Sequence, residues 1–127
     1  MPVRFLSDAW ADELKARLNA NETFRRGIGS TNARIQQIIT SPDGERRYWM
    51  RTHEGTIDIG PGDVEQPDAT ITQDYDTAAA LARGELNPMG AYMGGKLKIT
   101  GNIMMLMGLQ SALGELPRVM SDMDVDY

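Results

Sequence analysis

Apolar side chains recur at every fourth residue at Trp10, Leu14 and Leu18, while Asp12, Lys15 and Asn19 are polar. That spacing predicts an amphipathic helix from Ser7 to Asn19, with Ser7 as N-cap and Asp8 in the first turn. Asn21 can cap a second short helix through Thr23, Phe24 and Arg25, which Gly27 and Gly29 are expected to break. The period then falls to two. Ile35, Gln37 and Ile39 alternate with Arg34, Gln36, Ile38 and Thr40, the pattern of a strand. Ser41-Pro42-Asp43-Gly44 is strong turn chemistry, so Arg46–His53 is expected to return antiparallel. Its set Tyr48, Met50 and Thr52 is placed inward, because Trp49, Arg51 and His53 include two ionisable groups.

A further turn at Glu54-Gly55 leads to a third strand, Thr56–Ile59, with Ile57 and Ile59 inward and Asp58 outward. Gly60 to Asp68 reads as a loop, and Ala69–Thr72 as a fourth strand with Thr70 and Thr72 on its wet face. Helical character returns in Thr77–Arg83, capped by Asp74 or Asp76 and ended by Gly84. Asn87-Pro88 opens another helix, with Pro88 suited to its first position, and Gly94-Gly95 closes it. Lys96–Thr100 alternates as a fifth strand, and Gly101-Asn102 turns into a last helix carrying Ile103, Leu106, Met107, Leu109 and Leu113. Pro117 and the acidic tail are expected to fray, with residues 120–127 outside the ordered part of one domain spanning 1–127.

At 127 residues, 41% hydrophobic and 24% charged, the chain has the composition of one globular α+β domain rather than of a disordered segment. Its net charge of −5 argues against a phosphate-backbone partner, so no nucleic acid is expected. Zero cysteines and one histidine exclude a disulfide framework, a thiol nucleophile and a multi-histidine metal centre. The longest apolar run, Ile103–Leu109, is 7 residues, against about 18 for a membrane span. With no secretory leader in the opening residues and no peroxisomal or lipidation signal in MDVDY, the expected compartment is the cytoplasm.

Catalytic candidates are weak. His53 lies on the charged strand face beside a turn, Asp58 points outward, and Asp43 and Asp68 are explained as turn residues. The acidic tail lacks the spacing and glycine of a calcium loop. No catalytic residue, metal ligand or cofactor is therefore assigned. Methionine is the compositional signal: of 9, five (Met89, Met93, Met104, Met105 and Met107) fall close together. Such a cluster either fills a core or lines a cavity that adapts to its ligand.

The run from Asp68 to Leu109 carries a specific motif, GELNP followed by GGKLKITGN. It comprises Gly84, Leu86, Asn87, Pro88, Ala91, Gly95, Lys96, Leu97, Lys98, Ile99, Thr100, Gly101 and Asn102, with Tyr92 and Met93 between. In these residues, and more weakly over roughly residues 5 to 113, the chain resembles the sterol carrier protein type 2 (SCP2) family. The resemblance implies a five-stranded, mainly antiparallel sheet covered on one face by helices, enclosing an apolar tunnel. It implies a non-catalytic carrier of fatty acids, fatty acyl-CoA, sterols, phospholipid chains or isoprenoids. Family members also act as domains presenting substrate to an enzyme, or as accessory proteins holding polyprenyl-quinone intermediates.

Mapped onto that tunnel, the implied walls are Tyr48, Met50, Ile57, Ile71, Leu97 and Ile99 from the sheet region, and Leu81, Tyr92, Met93, Ile103, Met105 and Met107 from helices. Tyr92 and Met93 rank first among them. The same residues would equally fill a closed core, which leaves open an interaction scaffold in which outward Trp49 contacts a partner enzyme or a second copy.

Overall fold

The computed structural model describes residues 2–127, apart from the side chain of Gln110. Its order is β1 (Val3–Arg4), α1 (Asp8–Asn19), α2 (Glu22–Ile28), β2 (Ala33–Ser41), β3 (Gly44–His53), β4 (Thr56–Pro61) and β5 (Ala69–Asp74). There follow α3 (Tyr75–Ala82), α4 (Pro88–Met93), β6 (Lys98–Gly101), α5 (Ile103–Gly108), α6 (Gln110–Ser121) and β7 (Val125–Asp126). The main sheet has the order β4-β3-β2-β5-β6. All its neighbours are antiparallel except β2 and β5, which run parallel with Ile35 opposite Ala69 and Gln37 opposite Ile71. The fold is α+β, as the pattern of elements implies.

The chain reaches β5 from the far edge strand β4 by crossing the outer face of β3 and β2, and side chains tie this crossing down. Gln36 donates Nε2 to Gly62 O at 3.0 Å and accepts at Oε1 from Val64 N at 2.9 Å. Arg34 N donates to Asp68 Oδ2 at 2.9 Å, and Arg47 reaches Asp63 at 3.1 Å. The opposite face carries Ala33, Ile35, Ile39, Met50, Ile57, Ile59 and Ile71 into the core, joined there by Trp10, Leu14 and Leu18 of α1 and by Ala78, Ala79 and Ala82 of α3. Helix α1 lies over β4, where Asn19 brackets Ile57 by accepting from its N–H at 2.8 Å and donating to its carbonyl at 3.0 Å.

Local chemistry explains most boundaries. Ser7, Asn21, Asp74, Asn87 and Asn102 each accept at the side chain from a backbone N–H in the first turn of the following helix. Of the two caps expected for α3, Asp74 is used, accepting from Thr77 N at 2.7 Å. Several segments differ from the sequence expectation, among them β4, which takes in Gly60 and Pro61, and β5, which runs on to Asp74. Gly27 does not break α2 but lies within it, because α2 packs against α6 and a Cβ at Gly27 would meet Ala112 N at 2.8 Å. Strand β6 starts at Lys98 rather than Lys96, since the N–H groups of Lys96 and Leu97 are spent on Ala91 O at the end of α4. The last helix divides near Leu109 into α5 and α6.

Helix and strand continue beyond Pro117. Leu109, Leu113, Leu116 and Met120 continue a helical stripe, and α6 runs through Pro117 to Ser121. Beyond it, β7 pairs parallel with β1, Val3 opposite Val125.

Candidate functional site

Helices α3 to α6 stand off the sheet enough to leave a cavity of about 350 Å³. Its floor is the inward face of the sheet, with Tyr48 and Met50 from β3, Gln37 from β2, Ile71 and Gln73 from β5 and Ile99 from β6. Ala78, Leu81 and Ala82 of α3, Pro88, Met89 and Tyr92 of α4, and Ile103, Leu106 and Met107 of α5 form its sides. Leu113, Leu116, Pro117 and Met120 of α6 close one side, and Phe5 and Trp10 another. No Asp, Glu, Lys, Arg or His is among these lining residues.

Nine of the twelve wall residues drawn from the sequence border this cavity: Tyr48, Met50, Ile71, Leu81, Tyr92, Leu97, Ile99, Ile103 and Met107. Three do not. Met93 is 80% exposed; it lies two residues from buried Ala91, roughly 200° around α4, and so faces outward. Met105 is related in the same way to Ile103 on α5, and packs against the core on the other side of the helix. Ile57 is buried in the closed part of the core beneath α1, away from the opening between the helices.

Phe5, Trp10, Gln37, Gln73, Met89 and the α6 stripe are wall residues that the sequence reading missed. Leu113, Leu116 and Met120 follow at helical spacing, a usable signal that is masked by Pro117, a residue that ordinarily ends a helix. Gln37 falls on the inward set by alternation, but a polar side chain in that set carried no tunnel signal.

The charged side chains lie elsewhere, and the phenol on the cavity floor stays neutral. Burial holds the Tyr48 phenol well above its ordinary 10.0, so it is a neutral O–H at all ordinary pH. His53 is exposed next to Glu54 at 3.6 Å, and Asp58 pairs with Lys15 at 3.4 Å. Among the described residues no cluster of three metal-ligating side chains occurs. Trp49 lies on the outer face as expected, half-buried, its indole across Gly60 so closely that a Cβ there would overlap the ring. Among the described residues no helix is long and apolar enough to cross a membrane.

A profile described as the SCP-2 sterol transfer family matches residues 8–114. The chain belongs to this family. It is 34% identical over 91 residues to human sterol carrier protein 2, covering 71% of this chain but only 16% of that protein's length. It is 26% identical over 112 residues to the non-specific lipid-transfer protein-like 1 of Caenorhabditis elegans, covering 87% of this chain and 92% of the relative. The peroxisomal multifunctional enzyme A of Dictyostelium discoideum is 37% identical over 111 residues, which cover 24% of its length. A crystal structure of sterol carrier protein 2 superposes with a TM-score of 0.81 at 22% identity, covering 94% of this chain and 99% of that one. The palmitated SCP2L2 of Aedes aegypti gives 0.67 at 20% identity, with 84% and 92% covered. These likenesses place the SCP-2 fold, and membership assigns the chain to a lipid-binding and lipid-transfer family.

Proposed function

We propose that the chain is a non-catalytic intracellular carrier that seats the apolar part of a fatty acid, fatty acyl-CoA, sterol-like or isoprenoid ligand in the cavity. The observation that carries this reading is the cavity wall, apolar over most of its surface and free of charged side chains. Burying ten methylenes there is worth about 8 kcal/mol before ordering costs, on the scale of a micromolar complex. No polar chemistry is needed for that affinity. Methionines 89 and 107 at the exposed edge of the cavity suit ligands of different girth, since an unbranched side chain repacks at little strain.

A second reading, presentation of the bound lipid to a partner enzyme, is favoured by the 37% identity to a segment of a multifunctional enzyme. Native mass spectrometry with solvent extraction on freshly purified protein, followed by titration with a fluorescent acyl chain, tests the carrier. Extractable lipid or micromolar binding is the expected result. Empty protein that binds no acyl, sterol or isoprenoid probe would leave a closed-core scaffold instead.

A further inference from the structure

Four methionines stand in solvent on two short helices. Met89 and Met93 of α4 and Met104 and Met107 of α5 are 37%, 80%, 78% and 56% exposed, whereas Met50, Met120 and Met123 are buried and Met105 packs against the core. Their relation to the cavity divides the four again. Met89 and Met107 border it, one from each helix, while Met93 and Met104 are not on its wall. Among the described residues, these two are therefore the thioethers that belong both to the cavity and to the surface, and with exposed Tyr92 they form part of its rim.

A thioether does not ionise, so its reactivity toward a hydroperoxide follows access. The sulfur gives up two electrons and takes one oxygen atom as the O–O bond breaks, and water leaves, or an alcohol where the oxidant is organic. No group of the protein is needed for this step, and the chain has no cysteine to intercept the oxidant. The product is a polar, chiral sulfoxide in place of an apolar side chain.

Position decides what that oxygen does. On Met93 and Met104 it stays in water whether the cavity is empty or filled. On Met89 and Met107 it is hydrated beside an empty cavity, and an apolar chain covering the rim strips that hydration away, so the cost falls on the complex alone. Leucine would fill the same positions at similar volume without this chemistry.

We propose that Met89 and Met107 are a modification site: a hydroperoxide converts them to sulfoxides, and the carrier then releases its apolar ligand until the sulfoxides are reduced. This rests on the carrier reading and adds a chemical control over its loading. A bound chain covers the same two sulfurs, so a filled cavity shields them and leaves Met93 and Met104 open to attack.

The test treats the protein with hydrogen peroxide, locates added oxygen by peptide mass spectrometry, and titrates a fluorescent acyl chain at a dose that leaves Met50 and Met120 unmodified. It uses wild type, Met89→Leu/Met107→Leu and Met93→Leu/Met104→Leu, each compared with itself before treatment. Wild type and the outer-pair variant should weaken about tenfold, and the rim-pair variant should stay within about twofold. The two methionine sulfoxide reductases, one for each epimer, should restore wild-type affinity. Loading with the acyl chain before treatment should slow oxygen uptake at Met89 and Met107 and not at Met93 or Met104.

Wild type oxidised at both rim methionines yet binding as before, or a rim-pair variant that loses as much as wild type, overturns the site while leaving the carrier intact. Oxidation confined to Met93 and Met104 does the same. Untreated protein that does not bind the acyl chain overturns the carrier itself. If the rim-pair variant does not fold, the protection pattern in wild type decides, and equal rates at Met89 and Met107 with and without the acyl chain overturn the proposal.

Discussion

The ring of Tyr127 lies against that of Phe5, centroids 4.9 Å apart and planes at 51°. Phe5 in turn stands edge-on to Trp10 at 5.2 Å and Tyr75 at 5.6 Å, and it borders the cavity. The pairing of β7 with β1 thus supports one wall of the candidate site from behind, and the Arg83 guanidinium 5.1 Å over the Tyr127 ring holds it there. Tyr127→Ala is expected to cost about 1 kcal/mol in urea unfolding, the usual worth of an aromatic contact, and Tyr127→Phe to cost less. Unfolding curves identical for wild type and Tyr127→Ala would show that the tail contributes nothing to the wall.

Tyr48 makes stability fall at high pH. In the unfolded chain its phenol ionises near 10.0, whereas burial keeps it protonated in the fold to higher pH. Above pH 10 the unfolded state therefore binds fewer protons than the folded one, and stability decreases as pH rises, by up to about 1.4 kcal/mol per unit. Tyr127 is raised in the same direction, also mainly by burial, and adds to the slope. Urea unfolding between pH 8 and 11 should show the slope shrinking in Tyr48→Phe and again in Tyr48→Phe/Tyr127→Phe. An equal slope in all three proteins would rule this linkage out.

Acid has the opposite sign at Asp74. The Thr77 N–H holds its carboxylate below the ordinary 3.8, so the cap contributes fully above that value and is lost as pH falls through the lowered one. Asp74→Ala should cost about 1 kcal/mol at neutral pH, as losses of N-caps do, and should flatten this part of the acid limb. Asp74→Asn, which keeps an acceptor, should recover most of the stability and none of the pH dependence.

These contacts mark the boundary of what the sequence made legible. Caps and turns are local, so Ser7, Asn21, Asn87 and the Ser41–Gly44 turn could be read directly. Alternation placed Tyr48, Met50 and Thr52 on the inward face. Helical faces on six-residue helices were harder: one apolar residue too many is available on α4 and α5, and only packing decides that Ala91 and Leu106 turn in while Met93 and Met104 turn out. Pro117 in α6 and the pairing of Val3 with Val125 depend on partners distant in the chain. The Gln37–Gln73 bond joins residues 36 positions apart and left no trace in local pattern.

Gly27 sets two effects against each other. Alanine is about 1 kcal/mol better than glycine inside a helix, but the added Cβ would stand 2.8 Å from Ala112 N and 3.0 Å from Ala112 Cα. Those are backbone atoms of α6, which cannot rotate aside, so crowding wins and Gly27→Ala should lose roughly 1–3 kcal/mol. Since α6 lines the cavity, the same variant should weaken acyl-chain binding. A gain in thermal stability would mean that α2 and α6 separate freely.

A matched pair of substitutions separates the cavity wall from the methionine-rich exterior. Ile103 opens α5 and borders the cavity, whereas Met93 faces outward at the end of α4. Aspartate at partly buried Ile103 puts a carboxylate on the apolar wall, and its charge at the start of a helix is favourable to the local fold. Its cost should therefore appear in binding: Ile103→Asp is expected to weaken a fluorescent acyl chain at least about tenfold while circular dichroism stays native. Met93→Asp should leave that affinity within about twofold, because the side chain it replaces contributes no wall. The reverse ranking would mean that the ligand rests on the exposed methionines outside the cavity, and that the carrier works by a surface groove instead.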